Sequence, residues 1–191
     1  MTKIRSFEHE AFLRMRSPSR AGFLGAGTAT ALIGSSLLGD FVLAASKADP
    51  NDLATLNAAI QLERAGIKAY DDAAATGLLS GRVLAVALGF RSDHMAHRDA
   101  LIAAVNAGGG VPTTETAHLD YPKLATRDDI LRFAVTVEEK AASTYLSVIP
   151  DFVDRTLAQV AAAILGVETT HVALLSEALG AERPYPSAFV V

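Results

Sequence analysis

Two stretches of the chain carry the same row of side chains. Leu56, Ile60, Glu63, Ile67, Tyr70 and Ala74 reappear seventy-five residues later as Leu131, Val135, Glu138, Ala142, Tyr145 and Ile149. Both rows advance by four and three in alternation, the spacing that keeps side chains on one helix face. A second pair of rows follows at an offset of seventy-four: Val83, Ala87, Phe90, His94, His97, Leu101 and Ala104 map onto Leu157, Ala161, Ile164, Glu168, His171, Leu175 and Ala178. Register, apolar spacing and polar interruptions coincide, so the chain reads as one helical hairpin used twice. One hairpin cannot bury its own apolar stripe, and two laid face to face form a four-helix bundle.

The punctuation agrees. Helices are expected at about Asp52–Ala75, Gly81–Ala107, Arg127–Ile149 and Asp151–Leu179, with Thr76-Gly77, Gly108-Gly109-Gly110 and Pro150 at their ends and Thr126 ahead of Asp128 and Asp129 at the third start. The first and third connections are short, which makes each pair an antiparallel hairpin. The second, Gly108 to Thr126, has nineteen residues. That length can follow a whole helix of about 38 Å, so the second and third helices run parallel across a crossover. Heavy use of Ala and Leu and an aromatic content of 6% support an all-α class. With 191 residues there is room for one ordinary domain, expected at 49–180. A short tail, 181–191, follows it.

Residues 1–48 read as an export segment. Arg14, Arg16 and Arg20 precede an uncharged run from Ala21 to Leu38, and Val42-Leu43-Ala44 and Ser46-Lys47-Ala48 offer two cleavage points. Ser19-Arg20-Ala21-Gly22-Phe23-Leu24 resembles the twin-arginine export motif, with Ala21 at the place of its second arginine. The domain is therefore expected in the periplasm or otherwise outside the cytoplasm, with a retained signal anchor as the alternative and no stable membrane insertion of the mature domain. Cleavage after Ala48 removes six basic and three acidic residues, leaving eleven basic against eighteen acidic and a net charge of −7. There is no basic stripe, so nucleic acid is not an expected partner. The absence of cysteine removes thiolate catalysis, cysteine-bound zinc and iron-sulfur clusters, leaving His, Asp and Glu as the strong metal ligands.

Six side chains interrupt the apolar seams: Glu63, His94, His97, Glu138, Glu168 and His171. All are metal-ligand types, and each helix contributes. An ionised carboxylate buried without a partner costs several kcal/mol, so three of them meeting in mid-bundle call for a cation between them. Spacing fits, because His94 with His97 and Glu168 with His171 lie three apart on one face. The alternative is a hydrogen-bonded polar layer that fixes bundle register. Asp93, beside His94 and four residues before His97, is a candidate direct ligand or a hydrogen-bond acceptor for a ligating imidazole. Glu139 falls one residue off the seam and is expected in solvent, as are His118 in the crossover and His9 in the export segment.

These residues resemble the ferritin-like di-metal carboxylate family, in which two helices each give a Glu and two give a Glu-x-x-His pair. Glu63 and Glu138 match the single glutamates. Glu168-Thr169-Thr170-His171 matches one pair in full, whereas His94-Met95-Ala96-His97 matches only at its second histidine. The similarity covers roughly Asp52 to Gly180, and the group it resembles is the exported bacterial members, some of them stress- or desiccation-related. The resemblance implies a ferritin-like bundle in which Glu63 and Glu138 cap two metals, Glu168 bridges them, and His97 and His171 are terminal ligands, with His94 as a third nitrogen ligand. It also implies hydroxyls of Tyr70 and Tyr145 directed towards the ligands. A neutral imidazole has one lone pair and cannot bridge as a carboxylate does. Three Glu and three His give the site a charge of −3 rather than −4, which suits one iron or zinc as well as two irons.

The function so implied is oxidation of Fe(II) by dioxygen or peroxide, an oxidoreductase of ferroxidase or peroxidase type acting in a stress response. Manganese-dependent peroxide disproportionation is a variant on the same scaffold. The alternative is a non-enzymatic envelope bundle with a structural, zinc-like mononuclear site or a vestigial one. The partners expected are metal ions and small oxidants. Because the tail carries Pro184 and Pro186 rather than a further short helix, a monomer or homodimer is expected instead of a cage.

Overall fold

The computed structural model describes residues 47–182; all but the last two residues of the expected export segment, 1–48, and most of the tail lie outside them. Four helices account for most of the described chain: α1 (Pro50–Ala75), α2 (Gly81–Ala107), α3 (Arg127–Val148) and α4 (Arg155–Ala178). There is no strand among the described residues, which form an all-α four-helix bundle of two hairpins.

Each start has a chemical reason. Asp49 accepts a hydrogen bond from the Asn51 amide, and Pro50 occupies the first turn, where its missing N–H is not needed. Thr126 and Asp129 form a reciprocal capping box at α3. Asp154 caps α4 through the Thr156 amide. Gly77 (φ 70°) and Gly109 (φ 76°) take the left-handed turns that end α1 and α2.

The fourth helix begins at Arg155, four residues later than expected. Ile149–Asp151 form a single 3₁₀ turn and Phe152 is extended, so the chain makes a corner before α4. The cause lies in α1: the fully buried carboxylate of Asp52 accepts the amides of Val153 and Asp154, each at 2.9 Å. Those amides are satisfied from another helix, which removes the reason to start helical bonding earlier.

Helices pack most extensively within the hairpins, and α1 against α3 and α2 against α4 close the bundle. The crossover runs along α1, where the Asn57 side chain receives the Thr113 amide at 2.7 Å and donates to the Val111 carbonyl at 3.2 Å. Further on the Ala117 amide reaches the Gln61 carbonyl at 3.0 Å, and the Lys68 ammonium lies 5.7 Å from the Tyr121 ring centroid. The segment thus returns the chain to the end of the bundle where α2 began, and α2 and α3 run parallel.

The core is in two main apolar parts. One contains Leu56, Ile60, Leu101, Val105, Leu157 and Ile164; the other contains Leu79, Phe90, Ile130, Leu131 and Leu175. Tyr145 belongs to the first and Tyr70 to the second, and both rings border the polar layer that separates the two parts. Sealed from both sides, that layer sits in a medium where an unpaired charge is expensive.

Candidate metal centre

The six interrupting residues converge in this layer. Glu63 comes from α1, His94 and His97 from α2, Glu138 from α3, and Glu168 and His171 from α4. Five of them are at most 2% exposed, while the His97 side chain is 13% exposed. They form two overlapping groups, Glu63, His94, His97 and Glu168, and His94, Glu138, Glu168 and His171, each with one ligand atom per residue inside a 4.8 Å span. His94 and Glu168 belong to both. This is the arrangement the repeat dictates, since these two occupy equivalent places on α2 and α4.

Hydrogen bonding is uneven across the cluster. Glu63 receives His94 Nδ1 at 2.7 Å on one oxygen and the Tyr145 hydroxyl on the other. Glu138 receives the Tyr70 hydroxyl, with His94 Nε2 and His171 Nδ1 each at 3.3 Å. Each tyrosine therefore serves the glutamate of the opposite hairpin, because α1 and α3 are antiparallel and residue 70 lies level with 138 as 145 does with 63. Asp93 meets His171 Nε2 at 3.2 Å, across the α2–α4 contact rather than along its own helix.

Glu168 is the exception. It is fully buried, yet neither oxygen has a hydrogen bond. His97 Nδ1 lies 3.0 Å from Oε1 and His171 Nδ1 3.6 Å from Oε2, but their geometry makes no hydrogen bond, and His97 Nδ1 has no other. A carboxylate with idle lone pairs among three imidazoles is a donor set aimed at a common point, and buried orphans of this kind ask for an ion. The residues fit a cation.

Protonation tells the same story from the metal-free side. Burial pushes the Glu63 carboxyl up, but the hydrogen bond from His94 and the nearby His97 imidazole outweigh it and hold it at about 2. Glu138 is held well below its ordinary value against its burial, while burial and the neighbouring Glu138 push Glu168 up. Burial favours neutral imidazoles; the facing carboxylates overcome this and raise His94 to about 10, His97 to about 9 and His171 to about 11. Burial and the adjacent carboxylates raise both tyrosines, which stay protonated donors. Protons thus do the neutralising that a metal ion would do, and an incoming cation must displace them.

Sequence reasoning missed Phe90 as part of this centre. Its ring stacks on His171 with centroids 3.9 Å apart. The signal was present in the repeat: Ile164 holds the equivalent place on α4, just as Val167 stands opposite Asp93. Glu139 and His118 are exposed and outside the cluster, and His9 lies outside the described residues.

Comparison with curated proteins yields no significant match. The family model described as "Ferritin-like domain" matches residues 51–181, which span all four helices and all six clustered side chains. With the repeated hairpins, the long crossover and this match over most of its length, the chain belongs to the ferritin-like domain family.

Proposed function

We propose that the centre holds iron and that the protein oxidises Fe(II) with dioxygen or peroxide as part of a stress response outside the cytoplasm. The observation that carries the metal-binding half is Glu168, whose two buried oxygens have no hydrogen bond while three histidines crowd around them. Glu63 and His97 would hold one half of the centre and Glu138 and His171 the other, with Glu168 shared. Iron bound there would supply a one-electron couple for passing electrons to the oxidant. Tyr70 and Tyr145 orient the two capping carboxylates by donating to one oxygen of each, and Asp93 fixes the ring of His171. The two apolar core parts keep bulk water away. His97, the most exposed of the six, marks the side from which a small oxidant enters. The apolar run and small-residue cleavage points of residues 1–48 support export.

A second reading has its own support. His94 lies between Glu63 and Glu138 with one nitrogen towards each, in the place equivalent to the shared Glu168. A neutral imidazole there serves a single ion, which favours one structural, zinc-like metal in a non-enzymatic bundle. Metal per chain separates the two. Elemental analysis after anaerobic Fe(II) loading and desalting is expected to give close to two; one or none would remove the di-iron reading. Chelation adds a check, since loss of a structural ion lowers the melting temperature more than loss of a catalytic one.

A further inference from the structure

The two hairpins differ at a pair of positions that touch each other. His94 stands where the second copy has Glu168, and Gly66 stands where it has Ala141. A Cβ built on Gly66 would lie 2.9 Å from both Cε1 and Nδ1 of the His94 ring and 3.0 Å from Nε2. Such approaches are closer than van der Waals contact permits, and the obstruction is a ring packed on every side, not the free end of a flexible chain. Gly66 is buried in the middle of α1, and its backbone is ordinary helix. No turn asks for glycine here, and a glycine inside a helix weakens it relative to alanine. The missing side chain is therefore explained by the imidazole. In the second copy the equivalent residue, Ala141, is buried at 2%, and the equivalent of His94 is the slimmer carboxylate Glu168.

We propose that Gly66 is the positioning residue for His94, and that the two form a matched pair which sets an imidazole, instead of a carboxylate, between the halves of the centre. With the ring against the bare α1 backbone, Nδ1 reaches Glu63 at 2.7 Å and Nε2 faces Glu138 at 3.3 Å. An alanine at 66 would push the ring off this line. The pair makes the centre poorer in negative charge and richer in nitrogen than two shared carboxylates would, so it determines which metals the centre prefers. This consequence for metals rests on the metal-binding reading above; the packing relation does not.

A double-mutant cycle tests it. Gly66→Ala, His94→Glu and the double variant are compared with the parent in two measurements: thermal unfolding of metal-free protein, and the visible absorption and binding isotherm of added Co(II). Gly66→Ala alone is expected to lower the melting temperature by about 4 to 10 °C and to change the Co(II) spectrum. On the His94→Glu background the same change is expected to be neutral or to raise the melting temperature, as alanine for glycine does in a helix. If Gly66→Ala alone does not fold and the double variant does, the pairing is supported. An equal effect of Gly66→Ala on both backgrounds, or no effect on either, overturns it. A parent that binds no metal while the unfolding cycle shows the coupling would overturn the metal reading and leave the pairing standing.

Discussion

The two hairpins share one backbone plan but surround their histidines differently. In the α2 copy His97 stands near Glu168 without a hydrogen bond at Nδ1 and remains partly exposed, whereas in the α4 copy His171 is held by Asp93, stacked under Phe90 and buried. The residues equivalent to Asp93 and Phe90 on α4 are Val167 and Ile164. Ligand-type residues alone would make the halves equivalent. The neighbours break that equivalence: they give one half a fixed histidine and the other a histidine that can adjust. A centre that must exchange ions or admit an oxidant has use for one adjustable side, and this half is where exchange should be fastest.

The largest effect should come from the residue both halves share. Glu168→Gln keeps the shape and removes the charge, and metal bound per chain is expected to fall below about a tenth of the parent's content by elemental analysis. Retention of full content would mean that the orphaned carboxylate is not a ligand. Next come exchanges between the halves. Asp93→Val is expected to lower metal affinity about 10- to 100-fold by freeing the His171 ring, while Val167→Asp, read in the same titration, should tighten the His97 half and slow metal release. An Asp93→Val protein with parental affinity would show that the asymmetry has no effect on binding.

The pH dependence of the metal-free protein is a smaller effect with a defined sign. The three histidines have folded values of about 9 to 11 against an ordinary 6.5, so their contribution to stability is complete below pH 6.5 and is lost as the pH rises through 9 to 11. Glu63, held at about 2 against an ordinary 4.5, contributes above pH 4.5 and loses this as the pH falls through 2. Glu168, raised, works the other way and costs stability as the pH climbs above 4.5. The melting temperature without metal should therefore be highest between about pH 4.5 and 6.5 and should decline into the alkaline range. Metal affinity should rise over that alkaline range, because fewer protons remain to be displaced. A melting temperature that climbs from pH 7 to 10 in metal-free protein would contradict the proton-neutralised cluster. Smallest of all, Phe90→Ile copies the second hairpin into the first. Losing the stack on His171 is worth about 0.5 to 1.5 kcal/mol, read as a fall of about 2 to 6 °C in melting temperature.

Much of this architecture was legible in the residue order. Leu56, Ile60 and Ile67 recur in kind as Leu131, Val135 and Ala142, and a nineteen-residue connection between the repeats admits few topologies. The six polar interruptions stood out because apolar neighbours a turn away on each side pointed inward. The start of α4 was not legible, since the cause, Asp52, lies a hundred residues earlier and acts by accepting two amides from the corner. Nor did spacing indicate that Asp93 would reach across to His171 instead of serving a histidine of its own helix.

The sequence by itself determined the helices, their pairing into repeated hairpins and the identity of the six polar side chains, because helical periodicity and turn chemistry are local and each residue carries its own share of them. Only the tertiary structure decided which groups meet. Tyr70 serves Glu138 and Tyr145 serves Glu63 because antiparallel packing sets those heights level, and Gly66 is bare because a ring from α2 needs its space. Contacts of this kind depend on the level and separation of neighbouring helices, quantities that belong to the packed bundle and to no single segment of the chain.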